Sequence, residues 1–299
     1  MRKNRPVLIL LLALLLAAGG CGRRPSQETA APAAAPAATQ TETPEAPAQQ
    51  APAQQAAEEV PLEDFLGITL PEAADVVYVR YDLSSEQRSF ATADPDLIGE
   101  VVEETAQILV GAPAAGSGDG ERELQIVTAD GTEVISLDGE KLLLDGTAYE
   151  TSGGGDLYGT LQYLQEEAEE HQKEASARKK GSEAPVIEEG GAYDQQGSVG
   201  LHLYAFQSLP SNYMTKKKAR SLGWENGSLE DYAPGMCIGG DHFGNYEEIL
   251  PDDDYRECDI GTLGRSKRGA KRIIFTEDYS RVYYTGDHYE HFTLLYGEE

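Results

Sequence analysis

Four side chains near the C-terminal end of the chain have the types needed to break an RNA phosphodiester without a metal: Glu257, Arg268, Arg272 and His288. A carboxylate can take the proton from a ribose 2′-OH, and an imidazole can return one to the leaving 5′-oxygen. Two guanidinium groups can hold the phosphate, whose negative charge grows in the transition state. The four residues are spaced along a run that reads as consecutive antiparallel strands, so the sequence predicts an acid–base site that holds a phosphate.

The predicted chemistry needs neither a metal nor a cofactor. No group of His, Asp and Cys residues in the sequence has the spacing of metal ligands. Because the attacking group is the ribose 2′-OH, we expect RNA to be cleaved and DNA to be left intact. Activity that persists in a chelator is the matching expectation.

The charge of the chain limits how it could bind RNA. The formal net charge is −28 at pH 7, which argues against a protein that tracks a long polyanion. In the C-terminal part, however, most basic residues fall in two short segments, 216–220 and 265–272. This distribution is compatible with binding one phosphodiester, with modest and salt-sensitive affinity.

Three lysines follow Thr215, the predicted N-cap of a helix that begins at Lys216. Cations at a helix N-terminus oppose the helix dipole. The conflict favours an anion site there, in which backbone N–H groups and a lysine meet a phosphate or a carboxylate. The alternative is a solvated run of lysines on the surface.

The N-terminus has the pattern of an export signal. Residues 1–21 combine a basic start, an apolar run over 7–18 and small residues before Cys21. This end resembles the lipobox of bacterial lipoproteins, although Ala18 stands where leucine is usual. The resemblance implies a lipid-modified Cys21 and an exported protein on the extracellular face of the cell membrane. The alternative is ordinary secretion, with Cys21 incidental.

Composition divides the rest of the chain into four parts. Residues 22–60 are rich in Ala, Pro, Gln and Glu and predict a disordered tether. Residues 61–172 read as a separate small α+β domain with Asp-Gly hairpin turns. A charged and Gly-containing linker at 173–191 then leads to a C-terminal domain at 192–299. The 61–172 domain carries no catalytic set, so we interpret it as a spacer or interaction module, or as an acidic domain that occludes the basic site.

Hydrophobic periodicity predicts the main elements. In the first domain these are strands at 76–81, 123–128, 132–138 and 141–144, with helices at 95–110 and from about 156. In the second they are a helix ending before Leu209, the helix after Thr215, and strands at 236–241, 255–260, 271–276, 281–285 and 288–295. Cys237 and Cys258 in the second domain would be either free thiols or a disulfide.

Several short motifs of the C-terminal part occur together in one order. They are Leu209-Pro-Ser-Asn-Tyr-Met-Thr-Lys216, Leu222-Gly-Trp224, Ala233-Pro-Gly235, Ile238-Gly-Gly-Asp241, Tyr255-Arg-Glu257, Arg268 with Arg272-Ile273, Thr285-Gly-Asp-His-Tyr289 and Phe292-Thr293. In these motifs the segment resembles the microbial ribonuclease family, the barnase-like guanyl-preferring ribonucleases of bacteria. The resemblance covers about a third of the chain. It implies an α+β fold in which N-terminal helices pack on an antiparallel sheet whose open face bears the active site.

The resemblance also assigns roles by position. It implies that Glu257 is the general base and His288 the general acid. Phosphate and transition-state contacts would come from Arg268, Arg272 and Lys216. Asp241 matches the aspartate that positions the lysine, and Tyr289 would pack beside the substrate.

A second group of positions matches the family's guanine-binding loop. Asn245 and Glu247 lie in this loop, and the carboxylate of Glu247 would accept hydrogen bonds from the edge of a guanine. Tyr246 departs from the pattern, because familiar members carry arginine there. A tyrosine loses the steering of a phosphate but can stack on a base.

Together these observations predict a lipid-anchored, extracytoplasmic endoribonuclease. It would cleave single-stranded RNA after guanosine, giving a 2′,3′-cyclic phosphate that is then hydrolysed. We expect a monomer, and a small acidic inhibitor of the barstar type would be a partner in a toxic role. The alternative is a surface-anchored protein that binds RNA or protein and keeps the fold without turnover.

Overall fold

The computed structural model describes residues 58–114, 122–177 and 183–298. The predicted export signal, Cys21 and most of the predicted tether lie outside these residues. The described residues belong to one compact unit. In the described part of the chain, no helix combines the length and the apolar character needed to cross a membrane.

The first half of the described chain builds a nine-stranded sheet with three α-helices and a short 3-10 helix, Ala73–Asp75. Its strands are β1 (Val60–Pro61), β2 (Val76–Leu83), β3 (Arg88–Thr92), β4 (Ile108–Pro113), β5 (Arg122–Thr128), β6 (Thr132–Asp138), β7 (Lys141–Leu144), β8 (Thr147–Gly153) and β9 (Val186–Glu188). Its helices are α1 (Leu62–Leu66), α2 (Pro95–Ala106) and α3 (Leu157–Ala177). The strand order is β1-β4-β8-β7-β6-β5-β2-β3-β9, with antiparallel pairing throughout the described strands.

Helix α2 shows how local sequence sets these elements. The Asp94 side chain accepts hydrogen bonds from two backbone N–H groups of the first turn, and Pro95 occupies the first helical position. The helix ends at Ala106, and β4 starts at Ile108, so the predicted helix 95–110 was too long. Ile108 and Val110 occupy alternate positions of β4 and are both buried, as in a strand. The prediction from sequence had included them in the helix.

The second half forms a six-stranded sheet in the order β10-β11-β12-β13-β14-β15. Its elements are α4 (Gln196–Phe206), β10 (Tyr213–Met214), α5 (Lys216–Ser221), β11 (Cys237–Phe243), β12 (Tyr255–Asp259), β13 (Arg272–Thr276), β14 (Val282–Thr285) and β15 (Thr293–Tyr296). The β10–β11 pair is parallel and the other pairs are antiparallel. The predicted α+β class is confirmed.

One predicted strand of this sheet was wrong. The sequence predicted a strand over 288–295, with Gly286-Asp287 as a two-residue turn. The last strand instead begins at Thr293, and His288 lies in the preceding loop. The loop is longer because the Asp287 side chain accepts backbone hydrogen bonds from Glu290 and His291.

Helix α4 lies between the two sheets. Its residues are buried nearly all round, unlike those of a surface helix with one apolar stripe. One core cluster joins Val199 and Leu203 of this helix to Phe275 of the second sheet and to Tyr78 and Ile187 of the first. The face of the second sheet that packs on α4 is opposite to the face that carries Glu257, because side chains alternate along β12.

The junction also contains polar contacts. Arg80 on β2 donates a hydrogen bond to the Ala205 carbonyl at 2.9 Å, near the C-terminal end of α4. Strand β9 pairs with β3, although 173–191 was predicted to be a linker. The apolar pair Val186 and Ile187 is fully buried there, which explains the strand. Separate domains joined by a flexible linker are therefore not confirmed.

Candidate active site

Glu257 lies at the centre of the open face of the second sheet. Its residue is 7% exposed, and its two carboxylate oxygens have different partners. Lys216 Nζ lies 2.6 Å from Oε1, and the Tyr289 hydroxyl donates to Oε2 at 2.6 Å. Burial pushes the pKa of Glu257 up, but the hydrogen bonds from Lys216 and Tyr289 outweigh it, and the pKa lies below its ordinary value. The carboxylate is therefore charged at neutral pH, as a general base requires.

The start of helix α5 places Lys216. Thr215 caps the helix by accepting from the backbone N–H of Lys218, as predicted. The backbone N–H of Lys216 donates to Asp241 Oδ2 at 2.8 Å. The negative group at this helix end is thus the Asp241 carboxylate, which anchors the backbone of Lys216 while its ammonium reaches Glu257.

A buried carboxylate, Asp259, holds both arginines. It is 1% exposed, and its oxygens lie 2.6 and 2.7 Å from the Arg268 guanidinium and 3.0 Å from Arg272 Nε. Burial alone would lower the pKa of Arg268, but the hydrogen bonds to Asp259 raise it overall. Sequence reasoning missed Asp259. Its position two residues after Glu257 on a strand, and hence on the same face, was the available signal.

His288 lies on the loop between β14 and β15 and is exposed. Its ring centroid is 4.8 Å from that of Tyr289, the residue whose hydroxyl contacts Glu257. The Tyr289 ring also stacks on Phe243 at 5.3 Å. The structure therefore brings His288 to the rim of the face on which Glu257, Lys216 and the two arginines converge.

The predicted guanine-binding loop follows Phe243 at the end of β11. Asn245 has a positive φ of 41° and closes the loop on itself by donating to the Leu250 carbonyl and accepting from the Leu250 N–H. Tyr246 is 88% exposed, and its ring lies over Gly244, where a β-carbon would collide with it. Glu247 is exposed beside it. The loop presents an aromatic ring and a carboxylate to solvent.

This half contains two further sets of reactive side chains, a pair of cysteines and a group of carboxylates with a histidine. Cys237 and Cys258 are buried free thiols, and burial raises the pKa of Cys237 to about 12. Within the described ranges, one exposed group offers carboxylate and imidazole atoms within 4.8 Å of one another: Asp287, Glu290 and His291. In that group Asp287 and His291 are already hydrogen-bonded to each other.

The comparisons with known proteins point to one family. A family model of ribonucleases matches residues 198–296. A ribonuclease of Heyndrickxia coagulans is 41% identical over 102 residues, which are 32% of this chain and 92% of that protein. The chain belongs to the ribonuclease family. We call residues 198–296 the ribonuclease module.

Two further relatives match the same module. A ribonuclease of Bacillus intermedius is also 41% identical over 102 residues, but the chain spans only 62% of its length. The guanyl-specific ribonuclease Sa of Kitasatospora aureofaciens is 43% identical over 56 residues, 18% of this chain and 58% of that protein. The module is thus of the barnase-like microbial type that its sequence motifs predicted.

Proposed function

We propose that this protein is an endoribonuclease that cleaves single-stranded RNA without a metal. The observation that carries the proposal is the buried carboxylate of Glu257, kept charged by Lys216 and Tyr289 on the face that also presents Arg272. A buried carboxylate with a lowered pKa beside cations suits a base that must act on an anionic substrate. Membership of the ribonuclease family supports the same reaction.

The first step is a transphosphorylation. Glu257 removes the proton of the 2′-OH, and the 2′-oxygen attacks the neighbouring phosphorus. The bond from phosphorus to the 5′-oxygen breaks, and His288 gives that oxygen a proton. The products are a 2′,3′-cyclic phosphate and a 5′-hydroxyl end. In the second step the two residues exchange roles: His288 takes a proton from water, whose oxygen attacks the phosphorus of the cyclic phosphate. The bond from phosphorus to the 2′-oxygen breaks, Glu257 gives that oxygen a proton, and a 3′-phosphate remains.

The cations stabilise the charge that develops on the phosphate. Lys216, Arg268 and Arg272 surround the position where the non-bridging oxygens would lie. Arg272 is 3% exposed, its Nη1 donates to the Gly269 and Lys271 carbonyls, and its Nε lies 3.0 Å from Asp259 Oδ1, so it acts from a fixed position. Such fixed charges need no reorganisation when the transition state forms.

Guanosine is the nucleoside that we propose on the 5′ side of the cleaved bond. Support comes from the Asn245 loop with Glu247 and from the guanyl-specific relative. Tyr246 would stack on a base, a contact that alanine substitution typically weakens by about 1–3 kcal/mol.

The cellular setting is also a proposal. We propose export and anchoring through a lipid on Cys21, a monomeric protein, and a barstar-type acidic inhibitor as a partner. Replacing Cys21 by serine should release the protein from membranes and abolish labelling by radioactive palmitate. Labelling that persists in this variant would contradict the anchor.

The deciding experiment for the reaction uses the full-length protein, because its two sheets share a core. We expect cleavage of guanylyl-(3′→5′)-adenosine in EDTA, and none of the 2′-deoxy analogue. Glu257→Ala and His288→Ala should each lower kcat by about 10²–10⁴-fold.

His242→Ala is the matched control, since His242 is an exposed histidine on the same module. Its rate should equal that of the wild type. If the wild type and both active-site variants are equally inert, the enzyme proposal fails and a non-catalytic binding protein becomes the better interpretation.

A further inference from the structure

The loop that carries His288 has an unusual backbone. His288 and Tyr289 have φ angles of 65° and 77°, two consecutive non-glycine residues in the left-handed region. Side chains with a Cβ rarely adopt this conformation, and it persists only where the surroundings hold it. The conformation matters because the first residue is the proposed general acid and the second contacts Glu257.

Asp287 is the group that holds this backbone. Its Oδ1 accepts hydrogen bonds from the Thr285 hydroxyl at 2.9 Å and from the N–H groups of Glu290 and His291, both at 3.1 Å. The Thr285 hydroxyl in turn accepts from the Tyr289 N–H at 3.0 Å. One carboxylate oxygen therefore ties together the residues on both sides of the left-handed pair.

The other oxygen of Asp287 is held by His291. Its Nδ1 lies 2.7 Å from Asp287 Oδ2, and the imidazole is 86% exposed. The hydrogen bond raises the pKa of His291 and lowers that of Asp287, so both charged forms are favoured. Glu290 is the other charged group that acts on His291. The pair fixes the orientation of the carboxylate, and with it the direction of Oδ1.

We propose that Asp287, oriented by His291, is a positioning residue for His288. It fixes the left-handed backbone from which the imidazole reaches the leaving 5′-oxygen, and it does not touch the substrate. The inference rests on the proposed function, in which His288 is the general acid.

The test separates the acid step from the rest of catalysis. Guanylyl-(3′→5′)-adenosine has an alkoxide leaving group that needs a proton. Guanosine 3′-(4-nitrophenyl phosphate) releases nitrophenolate, a stable anion that does not. In full-length protein and EDTA, Asp287→Ala should lower kcat on the dinucleotide about 10- to 100-fold with little change in KM. Its rate on the nitrophenyl ester should stay within about threefold of the wild type, as should that of His288→Ala.

Conservative and neighbouring variants sharpen the result. Asp287→Asn retains an oxygen acceptor for the two N–H groups and should recover most of the dinucleotide activity. His291→Ala should lower that activity, whereas Glu290→Gln, a change to the adjacent residue, should not. Circular dichroism would establish that each variant is folded.

A double variant gives the outcome that decides. If Asp287 acts through His288, Asp287→Ala causes no further loss on the dinucleotide in a His288→Ala background. Equal losses on both substrates, or losses that add in the double variant, would overturn the inference while leaving the proposed function intact. A His288→Ala variant as active as the wild type on the dinucleotide would instead overturn the proposed function itself.

Discussion

The hydroxyl of Tyr289 donates a hydrogen bond to Oε2 of Glu257 at 2.6 Å, so the proposed base is already bonded on this oxygen before any substrate arrives. Lys216 occupies the other oxygen. A substrate 2′-OH must therefore displace the tyrosine or use a remaining lone pair. Burial and the contact with Glu257 raise the pKa of Tyr289 to about 12, which keeps its proton in place as a donor.

Removing this donor should shift the acid side of the pH–rate profile. The hydrogen bond favours the charged carboxylate, so Tyr289→Phe should raise the pKa of Glu257, and kcat/KM should begin to fall at a higher pH than in the wild type. The profile on guanylyl-(3′→5′)-adenosine measures this shift, with Tyr284→Phe as a control. An acid limb that stays in place or moves to lower pH would contradict the interpretation.

The Asp259 carboxylate should be needed for folding as well as for activity. Asp259→Ala leaves Arg272 buried without its partner, and breaking such a pair typically costs about 3–5 kcal/mol. Urea unfolding should show this loss, and activity should fall because Arg268 loses two hydrogen bonds and Arg272 loses its ion pair. Asp254→Ala, at an exposed carboxylate near the start of the same strand, should change the unfolding free energy by less than about 0.5 kcal/mol. Similar stability of the two variants would exclude the proposed anchor.

Arg80 should stabilise the ribonuclease module from outside it. Its guanidinium bonds the Ala205 carbonyl and lies 5.2 Å from the Phe206 ring, both in the last turn of α4. A cation at a helix C-terminus and a cation–π contact each contribute about 0.5–1 kcal/mol. Arg80→Ala should therefore lower the unfolding free energy by about 1–2 kcal/mol. Exposed Arg220→Ala is the control, and equal stability of the two variants would count against this role.

His202 should make the fold less stable in mild acid. It is fully buried on α4, where its Nε2 accepts from the Gly190 N–H and its Nδ1 contacts the Ser208 carbonyl. Burial lowers its pKa to about 4, whereas the unfolded chain has a value of about 6.5. The unfolded state thus binds the proton more tightly. Neutral, buried His202 therefore contributes to the unfolding free energy in full above pH 6.5. This contribution is lost progressively as the pH falls to about 4, by roughly 3 kcal/mol in total.

The measurement is the unfolding free energy as a function of pH. His202→Gln should flatten the profile between pH 6.5 and 4, even if the variant is less stable at neutral pH. The exposed control His242→Gln should keep the wild-type slope. A His202→Gln profile with the wild-type slope would show that another group titrates.

Much of the second sheet could be predicted from sequence because its strands alternate clearly. The strand with Glu257 and the hairpin before Val282 follow from period-two patterns and turn residues. The length of the His288 loop could not be predicted from sequence, because a Gly-Asp pair also suits a short hairpin. What lengthens the loop is a side chain that accepts from backbone groups three and four residues on, and hydrophobic periodicity does not record such bonds.

The packing of α4 is the other feature that sequence reasoning did not reach. A helix that is apolar on all sides predicts burial but does not name the second surface that buries it. Strand β9 was hidden for a related reason, because Val186 and Ile187 form a short apolar pair within a polar stretch. Both features depend on contacts between residues far apart in the chain.

The burial of α4 bears on how freely this enzyme type could be exchanged between proteins. A ribonuclease domain whose first helix has one face in water needs no second sheet to cover that helix. Such a domain can be joined to a different protein as an independent unit. Here the helix is shared between two sheets, so the module and its carrier must change together. Recombination that transferred residues 198–296 alone would expose an apolar helix face, and a viable transplant would need polar substitutions on that face.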